Sequence, residues 1–410
     1  MQKRRVVITG MGCVSPYGLG CSTLKSGIEN KSDCFSKVDV KITKTKTVIF
    51  PVGLVPEKES LEDIYPREVT RTMSPLSLYA YIATLEALRQ ANIVQQDEFY
   101  KQIGVSISSS LASIKMCGEI FEKYYDVDPK AMPSTLPFKT LNHSSAFNVA
   151  VNLGLLGRCI SSSSACAGGL QSVALGYETI AYGKSNVMIC GGTEEYHPFL
   201  TLTFHKLGIA SKKGCKPFDI NRDGIIVSEG AGILILEEYE HAIERGATIL
   251  GEVLGVGMNI SQNISYSDKE SIFACMCEAV KDTKDVISGF TNIDVVNAHT
   301  TGTYTGDIAE GTAIDSFFTS VKVQALKGYY GHTMGACGAI ETISTILGIR
   351  DNKLYGTKDC KEYDKECGNI SLVCNNEPIV GNPIVLKNSF GLGGTNTTLI
   401  FKVFQGNNYE

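Results

Sequence analysis

The chain has 410 residues, 43 of them acidic and 38 basic, for a net charge of −5, and no block of Lys and Arg stands out. That balance argues against nucleic acid as a partner, since a nucleic-acid surface concentrates positive charge, and no run approaches the roughly 20 apolar residues of a membrane span. At this length one hydrophobic core is stretched, so two subdomains or one large duplicated fold is expected.

The 14 cysteines are scattered, lack paired metal spacing (Cys275 and Cys277 form only CxC) and sit mostly in apolar runs such as "VMIC". They predict a reducing compartment rather than a disulfide framework. The basic start "MQKRRVVITG" leads into a strand-like run rather than a secretory segment, and a cytoplasmic location is expected.

In chain order, "RRVVITGMG" predicts a buried strand closed by glycine. Residues 31–65 carry little pattern and read as a surface excursion. "SPLSLYAYIATLEALRQANI" has helical spacing, and "IGVSISSS" follows as a strand. In "ISSSSACAGGLQSVALGYETIAYGK" the residues Leu170, Val173, Ala174, Tyr177, Ile180 and Ala181 follow the i, i+3, i+4 rhythm of a helix that Gly183 can end. "NVMICGG", "GILILEE", "DVVNAHT" and "TTLIFKVF" predict further strands. "FDINRDG" (Phe218, Asp219, Asp223, Gly224) reads as turn chemistry, and "KDCKEYDKECGN" at 358–369 as a second excursion. The alternation predicts an α/β protein with largely buried sheets, softly divided near Gly246 into residues 1–246 and 247–410.

Three residues stand out for chemistry. Cys166 lies at or just before a helix N-terminus, where unpaired amides and the macrodipole favour a thiolate; a cysteine among Ser, Ala and Gly is equally what close helix packing requires. His299, in "VVNAHTTGTYTGD", and His332, in "KGYYGHTMGACGAIE", share one context: a loop of Gly, Ser and Thr that feeds a helix. Two such histidines and a cysteine in a matching setting suggest one site assembled at loop ends.

These segments together resemble the β-ketoacyl-acyl carrier protein synthases of the elongating, two-histidine type, a branch of the thiolase-like condensing enzymes. "RRVVITGMGCVSPYG" is similar to the family's opening strand and "SSACAGG" to its nucleophile turn. "KPFDINRDGIIVSEGAGILILEEYEHAIERGA", "NAHTTGTYTGD", "KGYYGHTMGACGAIE" and "NSFGLGGTN" resemble its remaining motifs, in the family's order. The resemblance implies a duplicated five-layer αβαβα fold and decarboxylative condensation of an acyl group held on Cys166 with malonyl-acyl carrier protein.

It also implies a role for each matching residue. Cys166 takes the acyl chain, and His299 and His332 donate from neutral Nε2–H groups to the malonyl thioester carbonyl. Lys327, five residues before His332, and Glu341, nine after it, form a buried ion pair that orients that histidine. Thr301 and Thr303 bind the phosphopantetheine arm. Leu111 divides the acyl pocket, and Phe390, Leu392 and Gly393 form the gating loop. Asn297, Glu341, Asn388 and Ser389 match positions where some relatives hold a structural monovalent cation. No metal or organic cofactor is implied for the reaction.

An acidic acyl carrier protein is the implied partner. Arg67, Arg71, Lys206, Lys212 and Lys213 are candidates for a basic rim that steers it. A dimer is implied through the strand around Cys159–Ser163, either with a second copy or with a ketosynthase-like homologue.

Three positions depart from the family pattern: Thr300 stands for the glycine after the first histidine, Tyr304 for the proline of that loop, and Leu392 for the second aromatic of the gating loop. They favour the alternative of a type II polyketide or polyene ketosynthase paired with a catalytically silent chain-length factor. The presence of Cys166 and both histidines argues against a silent partner, His332 against a chain-initiating synthase, and "GLGG" against a thiolase, which needs a second cysteine there.

Overall fold

Ten consecutive residues, Val6–Ser15, form β1 and are all buried, as a strand covered on both faces must be. The structure, a computed structural model, describes residues 3–264, 267–284 and 292–406. After β1 come α1 (Pro75–Gln90), β2 (Gly104–Ser108), α2 (Ser144–Leu153), β3 (Cys159–Ile160), α3 (Gly168–Ala181), β4 (Val187–Glu194) and β5 (Gly230–Glu238). A second series repeats that order: β6 (Gly251–Ile260), α4 (Lys269–Lys284), β7 (Val295–Asn297), α5 (Tyr304–Phe317), β8 (Lys322–Gln324), α6 (Cys337–Arg350), β9 (Ile384–Phe390) and β10 (Thr395–Val403).

The strands of the first series lie in the order β3-β2-β4-β5-β1 and those of the second in the equivalent order β8-β7-β9-β10-β6. The first strand of each series joins the two, Val6, Val7 and Ile8 running antiparallel to Val253, Glu252 and Gly251. Ser371–Leu372 extends the far edge beside β8. Helices α1 and α2 pack on the outer face of the first set of strands and α4 on that of the second, where α5 joins it through Ala309, Ala313 and Ile314 in one core cluster with Val296 and Leu386. Helices α3 and α6 lie between the two sets and touch each other. Five layers result.

The middle layer explains the small residues. A Cβ on Gly338 would lie 2.6 Å from the Cβ of Leu170, and one on Gly169 would lie 2.4 Å from the carbonyl oxygen of Gly335. Both are far inside van der Waals contact, so α3 and α6 reach this separation only with glycine there.

Two expectations need correction. Residues 31–65 are more than a surface excursion: Phe35–Lys41 and Thr47–Gly53 form an antiparallel hairpin whose Val40, Phe50 and Val52 are buried. Interleaved lysines hid that alternation in the sequence. The segment 358–369 is likewise anchored, because Asp364 bonds Arg222 at 2.7 Å and Cys367 is buried. Asp219 accepts the amides of Lys361 and Glu362 at 2.7 and 3.0 Å, so the "FDINRDG" turn is the anchor. Among the described residues no helix is long and apolar enough to cross a membrane.

Candidate active site

Cys166 occupies a single 3-10 turn, Ala165–Ala167, that runs into α3. Met334–Ala336 forms the matching turn ahead of α6. Each turn opens on a non-glycine residue in the left-handed region, Ala165 and Met334, both at φ 48. Such strain is held only where the surroundings over-determine it. Here Gly391 packs on the Cys166 turn so closely that a Cβ would meet Ser164 O at 2.4 Å. Ser389 Oγ and Cys337 Sγ donate to Cys166 O at 3.1 and 3.3 Å.

The 218–228 region and β7 deliver the histidines. His332 is fixed through its backbone: its amide donates to Ile226 O at 2.8 Å, and Ser228 N donates to its carbonyl at 2.9 Å. His299 follows β7, and Glu310 on α5 accepts both the His299 and Thr300 amides at 2.8 Å. The two imidazoles meet edge to face with centroids 5.3 Å apart, and Phe390 packs on His299 at 5.4 Å. Cys166, His299 and His332 line one pocket with Thr300, Thr301, Thr303, Phe390, Gly391 and Leu392. Thr301 Oγ1 and Thr303 Oγ1 lie 3.2 Å apart on its wall. Phe204, Ile209 and Ile225 supply apolar lining.

Burial and the Lys327 ammonium, with Lys387 beyond it, hold both imidazoles well below their usual range, so both are neutral near pH 7. Lys327 Nζ donates to His299 Nδ1 at 3.3 Å and also to the His299 carbonyl. That contact leaves the ring proton of His299 on Nε2. His332 Nδ1 has no hydrogen-bond partner among the described residues.

The thiol behaves differently from the expectation of a helix-activated thiolate. Burial, then Cys337 and Glu194, push Cys166 up, against the lowering influence of Lys327 and the Leu392 amide. A helix terminus offers at most about 2 kcal/mol, or about 1.5 pKa units, whereas full burial shifts a group by up to about 3–5 units. Burial outweighs the helix terminus and pushes the Cys166 thiol up.

The ion pair is where the motif spacing placed it, but it serves the other histidine. Lys327 and Glu341 are buried and 2.5 Å apart, and the Lys327 ammonium bonds His299, not His332. The reason is topological: β8 and β7 are parallel neighbours, so the residues after β8 lie beside the loop that carries His299. Leu111 is 48 % exposed and is not part of the pocket wall. Gly393 also lies off the wall, its amide bonded to Ile264 O at 3.0 Å; Gly391 and Leu392 take its place. Tyr304 points outward, bonding Glu366, while Thr300 is buried beside the histidine.

Two ammonium groups already occupy the carboxylate of the cation set. Of its other oxygens, Ser389 Oγ donates to Cys166 O and Asn388 Oδ1 accepts from Thr398 Oγ1 at 2.7 Å, while Asn297 Oδ1 has no hydrogen-bond partner among the described residues. The remaining member, Glu341, gives its second oxygen to Lys387 Nζ at 2.5 Å. Sequence reasoning missed Lys387 and Glu310. The signal for Lys387 was a lone charge inside the apolar run "PIVLKNSF", and for Glu310 a carboxylate three residues after Asp307 on a helix otherwise poor in charge.

Comparison with known proteins follows the same geometry. A family described as "Beta-ketoacyl synthase, N-terminal domain" matches residues 3–242, and "Beta-ketoacyl synthase, C-terminal domain" matches 250–361. The chain is 31% identical over 423 residues to 3-oxoacyl-[acyl-carrier-protein] synthase 2 of Staphylococcus aureus strain N315, covering 98% of this chain and 99% of the relative. Among solved structures it is similar to a Beta-ketoacyl synthase from Burkholderia phymatum STM815, with a TM-score of 0.89, 31% identity, and 98% and 99% of the two chains covered. It is also similar to the ketosynthase assembly AntDE:AntF, a type II PKS acyl-carrier protein in complex with its ketosynthase, with a TM-score of 0.85, 26% identity, and 98% and 100% covered.

Proposed function

The chain belongs to the beta-ketoacyl synthase family, and on that premise we propose how its own residues divide the work of acyl-carrier-protein-dependent condensation in fatty-acid or polyketide elongation. Cys166 gives up its proton and attacks the carbonyl of an acyl thioester. The bond to the carrier's sulfur breaks, and the carrier leaves as a thiol with that proton. Malonyl-acyl carrier protein then enters the same pocket. Its C–COO⁻ bond breaks, carbon dioxide leaves, and the electron pair becomes an enolate whose oxygen accepts from His299 and His332. The enolate carbon attacks the Cys166 thioester, the sulfur leaves, and 3-oxoacyl-acyl carrier protein forms. The amides of Cys166 and Leu392 face the tetrahedral oxyanions.

The observation that carries this reading is the Lys327 contact on His299 Nδ1, which leaves Nε2–H as a donor into a pocket shared with a cysteine. The test is paired: acyl transfer to the protein, and carbon dioxide release from malonyl-carrier, for Cys166→Ala, His299→Ala and His332→Ala. Cys166→Ala should lose acylation and keep carbon dioxide release, and the histidine variants should do the reverse. A histidine variant that loses acylation as completely as Cys166→Ala would make that histidine the thiol's base and overturn the division.

The pathway, the pairing and the carrier surface are read from the chain's own features. Lys206, Lys212 and Lys213 are exposed and flank the pocket-lining Phe204 and Ile209, which makes them the favoured rim; Arg67 and Arg71 have no such link. Edge strand β3, with Cys159 exposed, supports pairing with a second copy or a ketosynthase-like homologue, and so, separately, do the exposed Phe121, Tyr124, Tyr125 and Phe138 between β2 and α2. A division at residues 246 and 247 is supported by the two strand series meeting there. Thr300 and Leu392 on the pocket wall favour the polyketide alternative over the primary fatty-acid pathway.

A further inference from the structure

Lys387 lies just outside the motif "NSFGLGGTN" and takes no part in the bond changes proposed above, yet it sits among the residues that form the site. It is fully buried at the centre of β9, and its ammonium is held by three oxygens: Glu341 Oε2 at 2.5 Å, Asn388 O at 2.7 Å and Ala298 O at 3.4 Å. A carboxylate and main-chain carbonyls around one positive charge is the donor set that a potassium or ammonium ion takes. The two carbonyls belong to functionally placed chain. Ala298 immediately precedes His299, and Asn388 immediately precedes Ser389, whose hydroxyl holds the Cys166 carbonyl at 3.1 Å. Lys327 takes the other oxygen of Glu341 and the next carbonyl, that of His299. One carboxylate thus lies between two ammonium groups, each tied to the backbone that carries a histidine.

We propose that Lys387 is a positioning residue whose tethered ammonium stands in for a dissolved monovalent cation, locking the His299 loop to the strand that supports the Cys166 turn. A tethered ammonium makes that register independent of the ions in solution. A free ion in the same place would make it depend on them.

The test removes the ammonium and offers an ion back. Lys387→Ser opens the space between the three oxygens, and Lys387→Met fills it with an uncharged chain of similar length. The wild type and both variants are compared in potassium chloride and in tetramethylammonium chloride at equal ionic strength, tetramethylammonium being too large to enter. Two readouts are taken, the thermal midpoint and carbon dioxide release from malonyl-carrier. The first is independent of the condensation reading, on which the second rests. Lys387→Ser should melt at a higher temperature in potassium by binding linkage. Its carbon dioxide release should fall on the order of 10²-fold in tetramethylammonium, the scale of a misplaced catalytic group, and recover in potassium. The wild type and Lys387→Met should be indifferent to the salt. The proposal is overturned if the Lys387→Ser midpoint is the same in both salts, if it folds in neither while Lys387→Met folds in both, or if the wild type itself responds to potassium.

Discussion

The turns ahead of α3 and α6 share one backbone and differ at the central residue. Each is a 3-10 turn opened by a left-handed non-glycine residue and followed by a 14-residue helix. Cys166 sits at the centre of the first, and Gly335 at the centre of the second. The first opens onto the pocket. The second is closed off, because a Cβ on Gly335 would lie 2.6 Å from Ser110 N. Glu194 reinforces that closure by accepting the Gly335 and Ser110 amides at 3.0 and 2.9 Å. The same backbone element carries a thiol on the pocket side and a packed glycine on the closed side, and the second series contributes His299 and His332 to the pocket instead.

The largest effect that would break this asymmetry is at Cys166. Cys166→Ala is expected to abolish condensation while leaving the melting temperature within a degree or two, since a buried Cys and Ala differ little in volume. Product analysis with malonyl-carrier would show carbon dioxide release without a 3-oxoacyl product; any 3-oxoacyl product would mean that a second thiol serves.

Next in size, His299→Ala and His332→Ala should each lower carbon dioxide release by about 10² or more, the cost of one oxyanion-type donor. Single-turnover decarboxylation measures this directly. A loss of less than about tenfold for either variant would remove it from the donor pair.

Gly335→Ala sharpens the comparison from the structural side. It should destabilise the fold by about 1–3 kcal/mol through overpacking, visible in denaturant unfolding, although it touches no reacting group. An unchanged unfolding midpoint would show that the second turn has room for a side chain and that its silence has another cause.

The smallest effect is a shift in pH dependence. In the wild type both histidines are depressed below 6.5, burial being the first cause and Lys327 the next. A depressed histidine stays neutral in the folded state while the unfolded chain protonates, so both activity and this contribution to stability are lost only as pH falls below 6.5 toward the folded value. Lys327→Met removes the neighbouring charge but not the burial. The acid limb of the carbon dioxide release profile should therefore move part of the way up toward 6.5. A limb that stays in place would show that burial alone keeps the imidazoles neutral.

The sequence by itself determined the α/β alternation, the helix after Cys166 ending at Gly183, and the three candidate side chains that the structure brings to one pocket, because hydrophobic period, turn glycines and small-residue loops are local signals. It also carried the family resemblance, which the matched residues 3–242 and 250–361 bear out. It could not say which histidine Lys327 serves. That depends on β7 and β8 lying side by side, a pairing that no local pattern encodes. Nor could it reveal the company of Lys387, since its partner Glu341 is 46 residues away. A helix terminus beside Cys166 was a sound local inference, yet the five-layer stack buries the sulfur, and that burial pushes the thiol up against the pull of the helix. Local sequence selects which groups are present; burial and long-range contact set their charge and their partners, because desolvation and Coulomb terms depend on everything packed within several ångströms.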